Sequence, residues 1–223
     1  MQIQDTGKDW DFIEFICVHP VYFQLNSLHP KRYSNSIGRA AESTFSGVAR
    51  ILKPARLPAR CASPSVTEMV VTKTLRAAAG WLELGLADEA LYELQALPAE
   101  VQRLRAPLEL RLTAQMEREQ WNAASETARL LCLKAEDEPE FFLRAAYCLH
   151  ETGDTLAACN QLLRGPKTLF EMAVFHYNLA CYLWTLGEGP RARSHLKQAI
   201  EMDQSYLKSA REDRDLVGIG PLG

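Results

Sequence analysis

The chain has 223 residues, 47% of them apolar and 24% charged, and its 25 basic and 28 acidic residues leave a net charge of −3. That profile is the globular average, which excludes a collagen-like chain, a wholly disordered one and a strongly basic nucleic-acid binder. The length suits one or two domains with a core that stands without staples.

Residues 1–68 come first and have a grammar of their own. Prolines stand at Pro20, Pro30, Pro54, Pro58 and Pro64. The apolar patch Phe12 to Leu25 is preceded by Asp5, Asp9 and Asp11 and broken by Glu14 and Pro20. It lacks the basic start and the unbroken apolar stretch of a secretory signal. No run in the chain approaches the roughly 20 apolar residues of a membrane span. From Lys31 to Ser65, seven basic residues (Lys31, Arg32, Arg39, Arg50, Lys53, Arg56, Arg60) stand against one acid, Glu42. Beyond a short helix over Arg39–Leu52, no period of 2 or 3.6 persists there. Residues 1–68 therefore read as a poorly ordered or irregular extension, with Met69 an alternative start. Two functional readings compete with that one. The aromatic cluster Trp10, Phe12, Phe15, Tyr22 and Phe23 would dock on the rest of the chain, or the basic stretch would bind an anionic surface.

From residue 69 onward the sequence repeats itself. Ala90, Ala124, Ala158 and Ala192 are each 34 residues apart. Five residues before them stand Gly85, Glu119, Gly153 and Gly187, and four after them Leu94, Ala128, Leu162 and Leu196. Twelve before them stand Ala78, Leu112, Ala146 and Ala180. Each unit reads as helix, tight turn, helix. The glycines suit the left-handed residue that ends a helix. Asp88, Asp154 and Glu188–Pro190 suit the first turn of the next one. The small alanines let antiparallel helices approach closely. Pro98 cuts short the second helix of unit one, Gly165-Pro166 cuts that of unit three, and Pro107 falls in the first turn of its helix. Ser205 to Leu216 reads as a ninth, capping helix, with Tyr206, Leu207, Ala210 and Leu216 on its apolar side. Residues 217–223 are expected to fray.

The period of 34 and phrases such as Tyr177-Asn178-Leu179-Ala180-Cys181-Tyr182 followed by Leu186-Gly187 resemble tetratricopeptide repeats. The fourth unit matches best, closing on Gln198-Ala199-Ile200-Glu201-Met202-Asp203. The resemblance implies an all-α solenoid of four hairpins plus a C-terminal capping helix over residues 69–216, with the first helices lining a concave groove. By register the groove takes Thr72, Leu75, Ala79, Leu82 and Glu83 from unit one, and Ala106, Glu109, Thr113, Met116 and Glu117 from unit two. Unit three adds Glu140, Leu143, Tyr147, His150 and Glu151, and unit four Val174, Tyr177, Cys181, Trp184 and Thr185. Glutamate is the only charged type among them. Tetratricopeptide proteins that clamp a C-terminal carboxylate use Lys and Asn here, and Arg144 and Asn178 stand one position off. The groove is therefore expected to take an extended or helical peptide with apolar side chains, with basic residues to meet the glutamates. Tyr147, His150, Tyr177 and Trp184 would be the anchors, and Glu109, Glu117, Glu140 and Glu151 the polar selectors. A groove covered by the chain's own residues 10–25 or its C-terminal helix is the competing reading.

No catalytic motif accompanies the repeat: there is no Walker loop, GxGxxG, GxSxG or HExxH. Cys148, His150 and Cys159 form the nearest cluster, but two residues two apart on one helix face different ways. The six cysteines (Cys17, Cys61, Cys132, Cys148, Cys159, Cys181) show no CxxC and read as reduced, mostly buried thiols of a cytoplasmic protein. The expectation is a non-enzymatic protein-interaction module: no cofactor, no metal, no nucleic acid, and a protein or peptide as partner. Self-pairing of the first hairpin through Leu75 and Leu82 would give an oligomer. A dedicated chaperone is the first alternative, because Phe141-Phe142-Leu143 through Ala157-Ala158 is similar to units of the tetratricopeptide chaperones of type III secretion. A regulatory subunit of a separate enzyme is the second.

Overall fold

The computed structural model describes residues 66–220, and the expectations that fall on residues 1–65 lie outside them. Among the described residues there are nine α-helices and no strand. They are α1 (Val66–Glu83), α2 (Ala87–Gln95), α3 (Arg105–Glu117), α4 (Trp121–Lys134), α5 (Pro139–Glu151), α6 (Thr155–Leu163), α7 (Ala173–Thr185), α8 (Gly189–Met202) and α9 (Ser205–Glu212). Short 3-10 turns occupy Val101–Arg103, Lys167–Glu171 and Arg214–Leu216. No described helix is long and apolar enough to cross a membrane.

Four helix pairs, α1–α2, α3–α4, α5–α6 and α7–α8, are closed by the same turn. Leu86 N–H donates to Trp81 O at 2.8 Å, Gln120 to Gln115 at 2.9 Å, Asp154 to Leu149 at 3.1 Å and Glu188 to Leu183 at 2.8 Å. The residue before each donor is left-handed: φ is +71° at Gly85, +91° at Gly153 and +81° at Gly187. This is the hydrogen-bonding of a Schellman ending. In the second pair Glu119 takes that conformation without being glycine, at φ +54°. A Cβ there meets the neighbouring carbonyl and is strained.

Each helix packs on the next along the chain. Ala78, Leu112, Ala146 and Ala180 on the first helices are fully buried, and so are Ala90, Ala124, Ala158 and Ala192 on the second. The 34-residue register is thus the register of the core. There are two apolar clusters, and α3 belongs to both. Its Ala106, Leu110 and Ala114 join α1 and α2, while its Leu108 and Leu112 join the larger cluster that runs to Ile219. Leu75 and Leu82 are 1% and 4% exposed inside the first cluster, so they offer no surface for self-pairing. Pro107 lies in the first turn of α3, and α6 stops short of Gly165-Pro166, as the sequence predicts.

The tail departs from the sequence reading. The helix expected to reach Leu216 stops at Glu212, because Asp213 is extended (φ −81°, ψ 122°) and its carboxylate accepts from Asp215 N–H at 2.9 Å. Asp213 thereby caps a 3-10 turn. The fraying expected from residue 217 does not extend to Ile219, which is 5% exposed.

Candidate functional site

The first helices lie side by side. α1 packs on α3 and α5 on α7, and Arg144 of α5 donates to Thr113 Oγ1 of α3 at 3.2 Å. The residues expected to line one face thus come from neighbouring helices, but their states differ along the row.

At the end nearest α7 the face is occupied by the chain's own tail. Tyr177 OH donates to Asp213 Oδ2 at 2.7 Å, and Cys181 Sγ lies 3.9 Å from the same oxygen. His150 Nε2 stands 3.2 Å from Asp215 Oδ2, its Nδ1 is 3.0 Å from Thr155 Oγ1, and its ring tilts against Tyr182. Arg214 reaches the Glu151 carboxylate at 3.2 Å, and Trp184 Nε1 donates to Val217 O at 3.0 Å. Leu216 and Ile219 complete the contact with buried side chains. Tyr177, Cys181, Trp184, His150 and Glu151 are brought together around the tail, so their contacts are supplied in cis. Burial and the Asp213 carboxylate both hold the Tyr177 phenol above its usual range.

In the middle of the row, two of the expected polar selectors already have partners. Glu109 pairs with Arg105 at 2.7 Å, and Glu140 with Arg144 at 2.7 Å. Arg105 also stacks over Phe141, with its guanidinium carbon 5.2 Å from the ring centroid. Arg105 over Phe141 and Arg144 on Thr113 tie α3 to α5, and Glu109 and Glu140 each hold one of these arginines within its own helix, so they are not free to select a ligand. Leu143 and Tyr147 are buried, Tyr147 edge-on to Trp121 with centroids 5.6 Å apart. Leu82, expected in the groove, belongs to the core between α1 and α2.

Nearest α1, Glu83 and Glu117 form no ion pair among the described residues. Met116 and Glu117 are half-buried, Thr72 and Ala79 likewise, and Glu83 is exposed. Burial pushes the Glu117 carboxyl up to about 7. Among the described residues no Lys, Arg or His lies within ion-pair distance of Glu117, and its neighbour Arg118 turns away to Asp88 of α2 at 2.9 Å.

No known family model matches the chain, and no curated protein matches it. Its reading therefore rests on its own residues. Burial raises the Cys148 thiol to about 12 and the Cys132 thiol to about 11, which leaves both protonated and poor as nucleophiles. Among the described residues no three His, Cys, Asp or Glu side chains converge as a metal site. A second concavity of about 850 Å³ lies between α4 and α6, with Cys132 and Phe142 beside Arg129, Arg164, Glu136 and Asp137. Its charges are mixed and suggest no single ligand.

Coverage by the C-terminal segment was the competing reading of the sequence, but sequence reasoning placed Asp213, Arg214 and Asp215 on a solvent-facing side of a helix and assigned Val217 no contact. Their signal was the Asp-x-Asp pair, which caps a turn more readily than it continues a helix. It also missed that Arg105 and Arg144 pair with glutamates at i,i+4 spacing, which is visible in the sequence.

Proposed function

We propose that this chain is a tetratricopeptide-like solenoid whose concave face, formed by α1, α3, α5 and α7, binds an extended segment of another protein, and that it works as a non-enzymatic interaction module. The observation that carries this reading is the tail. Asp213–Ile219 leaves the α-helical pattern through the 3-10 turn Arg214–Leu216 and lies across α5 and α7, held by Tyr177, His150, Glu151 and Trp184. The same face that register assigns to a ligand has side chains suited to an extended peptide: aromatic bodies with polar tips, and a carboxylate for an arginine. The half built from α1 and α3 keeps Thr72, Ala79, Met116 and Glu117 for a partner in trans. Repeat hairpins favour this use because each supplies the same positions to a shared surface at low cost to its own core.

Photo-cross-linking in the cells that make the protein tests the reading. A benzoylphenylalanine at Thr72 or Met116 should trap one discrete protein, and one at Leu133, exposed on α4, should not. Equal trapping from Leu133, or none from either concave position, would remove the assignment.

A further inference from the structure

Resting on that reading of the concave face, we propose that α1 and α3 receive a segment of a partner protein carrying a lysine or arginine that pairs with Glu117, as Arg214 pairs with Glu151.

Three observations converge on it. Glu83, Glu117 and Glu151 stand 34 residues apart, at the end of the first helix in units one, two and three, and Thr185 takes the place in unit four. The chain itself displays how this position is used. At Glu151 the 3-10 turn Arg214–Leu216 crosses the helix ends and its Arg214 lies 3.2 Å from the carboxylate, which is 11% exposed. At Glu117 the same carboxylate is half-buried with no cation in reach among the described residues. Desolvating an anion without a counter-charge is unfavourable, and a guanidinium or ammonium placed there removes the penalty. Other glutamates of the row are already matched, Glu109 by Arg105 and Glu140 by Arg144. The unmet charge is thus confined to the part of the face that the tail leaves uncovered. Half-buried Met116 beside Glu117 adds an adaptable apolar contact, so the partner segment carries an apolar residue next to its basic one.

The probes are two fluorescein-labelled decapeptides of alternating Leu and Ser, one carrying two arginines and the other two glutamates, titrated with the full chain and read by anisotropy. The arginine peptide should bind and the glutamate peptide should not. Glu117→Gln should weaken the arginine peptide about tenfold, Glu126→Gln on α4 should leave it unchanged, and Glu117→Lys should shift preference to the glutamate peptide. Thermal melts of each variant show that it is folded, and Glu117→Gln removes a desolvated charge without changing shape. If both peptides bind alike and Glu117→Gln affects neither, the charge assignment is overturned while the groove reading stands. If neither peptide binds, both are overturned. A carbodiimide cross-link between Glu117 and Lys31 or Lys53 in the free chain would mean that its own basic stretch fills the face, which overturns a partner in trans.

Discussion

Truncating Leu216 tests whether the tail is held as a ligand is held. Leu216 is 2% exposed and belongs to the large apolar cluster with Tyr206 and Tyr177. Leucine-to-alanine changes in cores cost about 2.7–5 kcal/mol, and the low end suits a short turn segment whose neighbours can relax. The polar anchors, Tyr177 to Asp213 and Trp184 to Val217, contribute about 1 kcal/mol each, so Leu216 is the strongest single contact. Leu216→Ala should therefore move the equilibrium between held and released tail by about a hundredfold. Amide hydrogen exchange reads this directly. The Asp215, Leu216 and Ile219 amides bond within the tail turn and should exchange about a hundredfold faster, with α4 amides unchanged. Acceleration of α4 to the same degree would mean that the tail is an inseparable part of the core. No acceleration in the tail would mean that Leu216 does not hold it.

Four further outcomes follow from the packing and the charges. Glu119→Gly should stabilise the chain by about 0.5–1 kcal/mol in urea unfolding, because a non-glycine residue sits at φ +54° and the relief of strain exceeds the added chain entropy. Ala158→Glu should unfold the α5–α6 pair, since the site is fully buried and offers the carboxylate no partner; an unchanged melting curve would contradict the register. His176 and His195 face each other with Nδ1 atoms 3.0 Å apart, and burial lowers both imidazoles below their ordinary 6.5. The unfolded chain then binds protons first, so their contribution is complete above pH 6.5 and is lost as pH falls below it; His195→Gln should flatten the stability profile between pH 7.5 and 5.5. Glu117 has the opposite sign. Its folded carboxyl, at about 7, holds a proton that the unfolded one releases near 4.5, so stability falls as pH rises through that window, and Glu117→Gln should melt higher than the parent at pH 8 but not at pH 4.

The fold was legible because its period is written in small residues. Only alanine or a well-placed leucine fits where paired helices touch, so the spacing of Ala90, Ala124, Ala158 and Ala192 marks the core. The turns were legible at three units of four, and Glu119 shows why the rule is a preference: the surrounding pair of helices supplies the stability that one strained residue removes. The site was only half legible. Register assigned Tyr177, His150, Glu151 and Trp184 to one face and left coverage by the C-terminal segment as a competing reading, but it could not choose between the two, since the contact spans 36 residues between Tyr177 and Asp213 and 63 between Glu151 and Arg214. The difference between Glu109 and Glu140, neutralised by arginines one turn away on the same helix face, and Glu117, which has no such neighbour, stands in the i,i+4 spacing but was not drawn from it.

The central claim, that the first helices form the binding face, is tested most directly by amide hydrogen exchange of the full chain with and without the arginine decapeptide. Protection concentrated in residues 72–83 and 106–117 is the predicted result. Protection of Ala87–Gln95 and Trp121–Lys134 instead, on the second helices, would contradict the account.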